Sequence, residues 1–330
     1  MINWGIIGCG NVTEVKSGPA FSKVKDSRLL AVMRRDATKA EDYARRHNVP
    51  RFYNNADKLI NDPEINAVYV ATPPGSHAEY AIRILEAGKP VYIEKPMALN
   101  HAECVIINQT AEKHGLPVFV AYYRRTLPGF LKIKDLIERG EIGNVRFVQI
   151  QLFKSPSEDE KDGKLTWRVK PEISGGGHFF DLASHQLDYL DFVFGPIQKV
   201  EALTLNQANL YEAEDLVLAS VLFPGNVAGT CNWSFSVSEE AARDSLEIFG
   251  NKGMIKTSTF SFEPIVLVNG KGRQEFFNER PENVQFYLIQ QIVNALSGKG
   301  EVVSTGLTAA RTSKVMDEVV MEYYKIKDKR

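Results

Sequence analysis

Short apolar runs alternate with amphipathic segments along residues 1–121 of the chain. The apolar runs lack the polar alternation of half-exposed strands, which is typical of strands buried on both faces of a parallel sheet. The predicted strands begin at residue 2 and continue at 28–33, 67–71, 91–93 and 118–121, with a further short segment around 52–53. The predicted helices begin near residue 10, with a disturbance at Gly18-Pro19, and continue at 38–47, 55–61, 76–87 and 100–114. Helical crossovers between parallel strands predict a doubly wound α/β domain.

Beyond residue 121 the pattern changes to longer strands joined by short turns. The predicted strands are 145–153, 199–205, 216–223, 227–235, 245–249 and 265–268. The predicted helices are 128–139, 179–194, 282–296 and 307–325. Turns such as Pro224-Gly225-Asn226 favour antiparallel pairing. The charged stretch 155–164 is expected to be a mobile surface loop. We therefore expect two domains, 1–121 and 122–330, with packing of the C-terminal helices back onto the first left open as an alternative.

The first strand runs directly into the turn Gly8-Cys9-Gly10. Gly8 suits a tight turn, and Gly10 has no side chain to keep the backbone from a pyrophosphate at a helix N-terminus. The third glycine of the full fingerprint is replaced by Thr13, so the motif alone is also consistent with an ordinary tight turn. In its strand-to-helix setting it predicts a dinucleotide site in a Rossmann domain.

Composition narrows the class of partner. The chain of 330 residues has 40 Lys and Arg against 41 Asp and Glu, so no net charge draws it to nucleic acid or an anionic membrane. Cys9, Cys104 and Cys231 are odd in number and scattered, which favours reduced thiols over disulfides or a metal site. The chain starts in a strand without a signal sequence, and no run approaches the roughly 20 apolar residues of a membrane helix. We expect a cytoplasmic protein that binds a small molecule, with neither nucleic acid nor membrane as a partner.

Lys95 lies in the tripeptide Glu94-Lys95-Pro96, directly after the predicted strand 91–93. This position is the carboxyl edge of the sheet, where ligands bind in open parallel sheets. A lysine there is suited to hydrogen-bond or protonate a substrate oxygen, with proton loss eased by a nearby nicotinamide cation. The alternative is a surface lysine before a turn proline.

Asp181 and His185 stand four residues apart on the predicted helix 179–194, hence on one face. The imidazole can take or return a hydroxyl proton, while the carboxylate orients a substrate hydroxyl or the imidazole. The alternative is a solvated ion pair or a capped core histidine. His178 is expected to shape the helix start rather than to catalyse. Zinc would need a third ligand, and none clusters with this pair, so we expect no metal.

The motifs occur in the order typical of one family, which the chain resembles over essentially its whole length. These motifs are Gly8-x-Gly10, Ala71-Thr72-Pro73-Pro74 with His77, Glu94-Lys95-Pro96, Tyr122-Tyr123-Arg124-Arg125, Trp167-Arg168, and Gly175-Gly176-Gly177 with Asp181 and His185. The chain resembles the glucose-fructose oxidoreductase, inositol dehydrogenase and MocA (Gfo/Idh/MocA) family. The resemblance implies a Rossmann domain and a second α/β domain with a large, mainly antiparallel open sheet that commonly forms a homodimer or homotetramer interface.

The resemblance also implies site residues. Lys95, Asp181 and His185 are expected to be catalytic, and Lys95-Pro96 to form a cis peptide. The residues expected to bind the cofactor are Gly8, Cys9, Gly10, Asn11, Val12, Met33, Arg34, Arg35, Thr72, Pro73, Pro74, His77, Glu94, Lys95, Arg124, Trp167 and Arg168. The residues expected to bind the substrate are Lys95, Tyr123, Asp181, His185 and Tyr287. For Tyr287 the alternative is a core aromatic on a C-terminal helix.

The residues at the end of the second predicted strand, Met33-Arg34-Arg35, indicate whether the cofactor is NAD or NADP. NAD enzymes usually place a carboxylate there for the ribose 2′-hydroxyl, whereas guanidinium groups suit a 2′-phosphate. Asp36 lies too far along the chain for the acidic role. We therefore expect NADP, with NAD second, and the alternative is two solvated arginines opening a loop.

The leading hypothesis is an NADP-dependent oxidoreductase that transfers hydride between nicotinamide and a CH–OH or C=O carbon of a sugar, polyol, dihydrodiol or related substrate. One alternative is a redox-neutral enzyme that holds NAD(P) tightly and acts on a glycoside. The other is a non-catalytic dinucleotide-sensing protein, which the joint presence of Lys95, Asp181 and His185 disfavours.

Overall fold

The computed structural model describes residues 1–327, and the chain divides into two compact units. The first unit comprises Met1–Thr126 and Pro281–Ala310. The second comprises Leu127–Arg280 and the chain from Arg311 onward. The first unit therefore combines the N-terminal part of the chain with a segment from near the C-terminus.

The secondary structure follows the predicted order. The strands are β1 (Ile2–Ile7), β2 (Ser27–Met33), β3 (Arg51–Tyr53), β4 (Ala67–Val70), β5 (Val91–Ile93), β6 (Val118–Val120), β7 (Val145–Phe153), β8 (Lys199–Leu205), β9 (Leu216–Phe223), β10 (Val227–Ser234), β11 (Arg243–Gly250), β12 (Gly253–Thr257), β13 (Ile265–Asn269) and β14 (Gly272–Phe276). The α-helices are α1 (Asn11–Val15), α2 (Ala20–Lys23), α3 (Ala37–Arg46), α4 (Ala56–Ile60), α5 (His77–Glu86), α6 (His101–His114), α7 (Pro128–Glu138), α8 (Glu158–Lys161), α9 (Pro171–Ser174), α10 (Ser184–Phe194), α11 (Phe286–Leu296) and α12 (Gly306–Lys327).

The first unit contains a six-stranded parallel sheet in the order β3-β2-β1-β4-β5-β6. Strands β4, β5 and β6 are buried at every residue, as their continuous apolar sequence predicts. The strand order reverses between β1 and β4, which creates the crevice where dinucleotides bind in this architecture. The predicted doubly wound Rossmann sheet is confirmed.

The second unit contains an eight-stranded sheet in the order β14-β13-β12-β11-β7-β10-β9-β8. Only β7 and β10 pair in parallel, so the predicted mainly antiparallel sheet is confirmed. Burial alternates along β9, and the opposite face of the sheet leaves Phe147, Leu203 and Leu218 partly exposed. One face of the sheet is therefore packed and the other open.

Several segments of the second unit differ from the predicted elements, and among them α9, β12 and β14 were not predicted at all. The helix predicted over 179–194 starts with a π-helical segment, Phe179–Ala183, before α10 begins at Ser184. The stretch 155–164, expected to be a loop, contains α8, which a capping box between Ser157 and Glu160 starts. Glu160 is buried because its carboxylate also meets the His178 ring, with Oε1 and Nε2 2.6 Å apart.

No helix within residues 1–327 is long and apolar enough to cross a membrane. Cys9, Cys104 and Cys231 are buried, and none forms a disulfide within residues 1–327. In the same described range, no three His, Cys, Asp or Glu side chains group closely enough to hold a metal ion.

Candidate active site

The glycine turn after β1 has the shape that a pyrophosphate requires. Gly8 has φ of +93°, and a Cβ there would lie 2.7 Å from Cγ2 of Thr72 and 2.8 Å from its backbone nitrogen. A Cβ at Gly10 would meet only the Gly8 carbonyl oxygen, at 3.9 Å. The turn is held to β2 because the Gly8 N–H donates to the Met33 carbonyl at 2.9 Å. Gly8 is thus required by the packing of the turn, whereas the space beside Gly10 is open and fits a dinucleotide.

Helix α3 is fastened to the segment that follows the glycine turn. Arg46 donates to both carboxylate oxygens of Glu14, each at 2.8 Å, and Nε2 of His47 lies 2.7 Å from Glu14. The Tyr43 hydroxyl donates to the Thr13 carbonyl at 2.8 Å. The hydrogen bonds from Arg46 lower the pKa of Glu14 from 4.5 to about 2. The ionised Glu14 carboxylate therefore stabilises the position of α1 beneath the turn.

We expect Glu14→Gln to lower the melting temperature by about 2–4 °C at neutral pH, since a partly exposed ion-pair network contributes about 1 kcal/mol. A carboxyl whose pKa is depressed on folding stabilises the protein above its ordinary pKa and loses that effect as the pH falls. The difference in melting temperature between the variant and the parent should therefore be largest above pH 4.5 and should shrink as the pH falls toward about 2. Thermal unfolding across this range tests it, with Glu41→Gln, an exposed carboxylate on α3, as the control. A difference that does not change with pH would contradict the ion-pair explanation.

The residues after β2 direct a guanidinium toward the glycine turn. Nη1 of Arg34 donates to the Cys9 carbonyl at 3.3 Å, and Arg35 is exposed beside it. Asp36 caps α3, where its Oδ1 accepts from the Lys39 N–H at 3.2 Å. Strand β2 ends at Met33, as predicted, so Arg34 occupies the position directly after the strand and the carboxylate of Asp36 serves the helix.

His77 joins the loop that follows β4 to the loop that follows β5. Its ring lies between two backbone carbonyls, with Nε2 2.7 Å from the Thr72 oxygen and Nδ1 3.0 Å from the Pro96 oxygen. Burial lowers the pKa of His77, although both carbonyls favour the protonated ring. The Lys95-Pro96 peptide bond is cis, which confirms that expectation. His77 thus helps to hold the loop that carries Lys95.

The Glu94 carboxylate is turned into the first unit rather than toward solvent. Its Oε1 accepts from the Tyr69 hydroxyl and from Nε2 of Gln285, both at 2.5 Å, and its Oε2 accepts from the Lys95 N–H at 3.0 Å. The Glu94 residue is only 6% exposed. No local sequence signal identified Gln285, because it lies 191 residues from Glu94 along the chain.

Three further predicted residues lie in the first unit. Tyr123 and Arg124 form part of a 3₁₀ turn, are both buried, and place the guanidinium carbon 5.2 Å from the tyrosine ring centroid. Tyr287 on α11 is 39% exposed and meets Phe286 edge to face. The alternative that Tyr287 is a core aromatic is therefore wrong.

In the second unit, the structure brings together residues that were predicted separately as cofactor contacts and as a catalytic group. Nε of Arg168 donates to Oδ2 of Asp181 at 3.2 Å. The same guanidinium lies 4.6 Å from the centroid of the Trp167 ring. Asp181 is thereby held by a charged hydrogen bond, and Arg168 is held between a carboxylate and an aromatic face.

His185 is the second residue of α10 and is 4% exposed. Its ring lies edge to face against Phe260, with centroids 6.1 Å apart. The next residue, Gln186, fixes the helix, because it accepts from the Trp233 indole at 2.6 Å and donates to the Thr259 hydroxyl at 2.9 Å. The imidazole therefore sits on a rigid element with little access to bulk water.

The glycine run before this helix is required by close packing. A Cβ at Gly177 would lie 2.8 Å from the Ala213 side chain and 2.9 Å from the Glu214 carbonyl oxygen. The Gly177 N–H donates to the Glu214 carboxylate at 2.8 Å. The start of the segment that carries Asp181 is thus held against the loop between β8 and β9, and only glycine fits there.

Two family models cover most of the chain. The model described as "Oxidoreductase family, NAD-binding Rossmann fold" matches residues 2–122, and the "GFO/IDH/MocA C-terminal domain" matches residues 130–256. The first range contains the whole six-stranded sheet, and the second contains five strands of the other sheet and most of β12 but neither β13 nor β14. The match therefore extends beyond the dinucleotide-binding fold to the second unit.

Individual relatives cover nearly the whole chain. The chain is 41% identical over 317 residues to "Oxidoreductase P35" of Formosa agariphila, spanning 96% of this chain and 97% of that protein. It is 28% identical to the trans-1,2-dihydrobenzene-1,2-diol dehydrogenase of Oryctolagus cuniculus, over 87% of this chain and 83% of that one. The crystal structure of aldose-aldose oxidoreductase from Caulobacter crescentus has the same fold, with a TM-score of 0.85, 23% identity, and coverage of 100% of this chain and 98% of that one. The chain belongs to the Gfo/Idh/MocA family of oxidoreductases.

Proposed function

We propose that the protein is an NADP-dependent dehydrogenase or reductase acting on a CH–OH or C=O carbon of a sugar, polyol, dihydrodiol or related small molecule. The observation that carries the proposal is Lys95 at the carboxyl end of β5, in the sheet whose glycine turn fits a dinucleotide. The substrate class is supported by relatives named for a dihydrodiol and for aldoses.

The proposed chemistry divides between three side chains. A bound nicotinamide coenzyme supplies or accepts the hydride. Lys95 hydrogen-bonds the reacting oxygen and shares its proton, and His185 takes or returns the hydroxyl proton. Asp181, steadied by Arg168, accepts hydrogen bonds from substrate hydroxyls and so orients the carbon that reacts. The low exposure of His185 favours direct proton exchange with substrate over exchange with bulk water.

The preference for NADP rests on the residues that follow β2. Arg34 donates to the Cys9 carbonyl of the glycine turn and Arg35 is exposed beside it, which supports a guanidinium contact with a ribose 2′-phosphate at this end of the strand. Guanidinium groups match phosphate oxygens in charge and geometry. The carboxylate that would favour NAD is absent from this position, because Asp36 caps α3.

We expect Arg34→Ala to weaken NADP binding by about 10- to 100-fold while NAD binding stays within a few-fold, since a hydrogen bond to a charged group contributes roughly 1.5–3 kcal/mol. Fluorescence titration with each coenzyme measures both constants. The matched control is Arg28→Ala, near the opposite end of β2, where the guanidinium donates to the Asn3 side chain. Equal losses for the two coenzymes would contradict a phosphate-binding role.

A substrate screen tests the proposed function itself. Sugars, inositols, dihydrodiols and dicarbonyls are mixed with the protein and either NADP or NAD, and turnover is followed by the absorbance of the reduced nicotinamide. We expect coenzyme-dependent turnover of at least one cyclic or sugar-like alcohol or ketone, faster with NADP(H). Coenzyme that stays bound through dialysis would favour the redox-neutral alternative, and failure of both coenzymes to bind would contradict the proposal.

A further inference from the structure

The Glu94 carboxylate forms an unusual buried centre in the first unit. Three donors converge on its two oxygens, namely the Tyr69 hydroxyl, the Gln285 amide and the Lys95 N–H. Such convergence supplies hydrogen bonds to a carboxylate that is largely removed from water. The third of these bonds is made by the backbone of the proposed catalytic lysine. A shift of the Glu94 carboxylate would therefore directly affect the backbone of Lys95.

Gln285 is the link between this carboxylate and a distant part of the chain. It is fully buried, and while its Nε2 donates to Glu94, its Oε1 accepts from the Tyr92 hydroxyl at 2.7 Å. Both ends of the amide are satisfied, which fixes its orientation. The Gln285 N–H in turn donates to the Lys16 carbonyl at 3.3 Å, just after the glycine turn. Gln285 thus contacts both the segment after the glycine turn and the strand end that carries Lys95.

The surroundings of this network leave it little room to rearrange. Tyr69 and Tyr92 stack with ring centroids 4.8 Å apart, and Phe21 lies 5.3 Å from Tyr69 and 4.8 Å from Trp4. Dense packing of these rings limits how far a neighbouring side chain can move to replace a lost amide. Removal of the Gln285 amide would take away one of the two donors to Oε1 of Glu94, so the carboxylate and the adjoining backbone would shift.

We propose that Gln285 is a positioning residue that acts through Glu94 to fix the backbone from which the Lys95 side chain extends. The inference deepens the proposed function and rests on it, because it takes Lys95 as the group that shares a proton with substrate. It also gives Glu94, predicted from the sequence to bind the cofactor, a role as the acceptor that anchors Lys95.

Burial shifts the pKa values of the titratable groups around Glu94. Tyr69 and Tyr92, from β4 and β5, have pKa values raised well above 10, chiefly by burial. His77, from α5, has a pKa lowered below 6.5, again chiefly by burial. An electrostatic interaction with Tyr123 also raises the pKa of Tyr92.

The test compares Gln285→Met with Gln290→Met. Gln290 lies on the same helix α11 and its amide also hydrogen-bonds a distant part of the first unit, the backbone of Lys25, but it has no link to Glu94. We expect Gln285→Met to lower kcat by about 10- to 100-fold, because small misplacements of a reacting group have effects of this size. The dissociation constant for NADP should stay within about 3-fold in both variants. Gln290→Met should keep kcat near the parent value.

Two further readouts separate positioning from general destabilisation. Gln285→Glu places a second carboxyl against Glu94, so its hydrogen bond persists only where the pair shares one proton, and its kcat should recover toward that of the parent as the pH falls. The second readout is the nuclear magnetic resonance signal of reductively methylated Lys95, identified by its absence in Lys95→Met. The chemical shift of this signal should change in Gln285→Met and should be the same as in the parent in Gln290→Met.

Tyr92→Phe provides a milder variant should Gln285→Met not fold. It removes only the hydroxyl that orients the Gln285 amide. We expect kcat to fall by about 3- to 10-fold and the Lys95 signal to move, as in Gln285→Met. If Lys95→Met is inactive but Gln285→Met, or Tyr92→Phe in its place, retains the parent kcat and an unmoved Lys95 signal, the positioning role fails and the proposed function stands. If Lys95→Met itself retains activity, the proposed function fails and the positioning role fails with it.

Discussion

Lys95→Met is expected to lower kcat/KM by about 10²- to 10⁴-fold on a true substrate, the range typical of a lost proton-transfer group. Methionine keeps an unbranched side chain of similar length but has no amine to hydrogen-bond or protonate the substrate oxygen. The Lys95 backbone N–H can still donate to Glu94, so we expect the backbone at this position to be kept. Coenzyme binding should accordingly remain within a few-fold of the parent.

Steady-state kinetics and a coenzyme titration measure these two quantities separately. The matched control is Lys89→Met, because Lys89 precedes β5 at its opposite end and donates to the Asp62 carbonyl at 2.7 Å. We expect this control to alter stability without a comparable loss of turnover. Turnover of Lys95→Met within a few-fold of the parent would contradict a catalytic role for Lys95.

His185→Ala is expected to cause a loss of similar size, about 10²- to 10⁴-fold in kcat, because the imidazole is assigned the exchange of the hydroxyl proton. The imidazole limb of the pH–rate profile should disappear with it. His185→Asn keeps a polar side chain without proton exchange near neutral pH, and we expect it to match the alanine variant rather than the parent.

The comparison for His185 is His178→Gln in the same segment of the chain. His178 pairs with Glu160, so its replacement should lower stability while kcat changes by less than about tenfold. Thermal unfolding and pH–rate profiles of the three variants separate these effects. Equal kinetic losses at His178 and His185 would show that the helix start, rather than the imidazole of His185, controls the rate.

The first sheet could be predicted from the sequence because its strands are encoded locally. Strands such as β4 and β5 are continuous apolar runs because both of their faces are buried. Such runs can be recognised as strands from the sequence alone. Helix starts were equally local. Asn100, for example, caps α6 by accepting from the Glu103 N–H at 2.9 Å, as its place before the helix predicts.

Two strands of the second sheet were missed for a physical reason. Strand β14 is polar and largely exposed at the sheet edge, and β12 is a five-residue strand whose pairing is determined by its neighbours β11 and β13. Neither segment carries an apolar pattern that distinguishes a strand from a loop. Their conformation is set by the sheet onto which they pair.

Sequence motifs were enough to propose the site residues. They did not predict which side chains those residues would contact. Arg168 was assigned to the cofactor and Asp181 to catalysis, and only the folded second unit shows their hydrogen bond. Gln285 carried no motif at all, since its contacts with Glu94 and Tyr92 depend on tertiary packing. Short motifs encode positions along the chain, and the contacts between distant segments require the fold.

Kinetics of the parent, Lys95→Met, His185→Ala and the double variant test most directly the proposal that the two side chains act on one substrate. Groups that act as a unit in one transition state give losses that do not multiply. We expect the double variant to be within about tenfold of the slower single variant. A double variant whose loss equals the product of the two single losses would contradict joint action of Lys95 and His185.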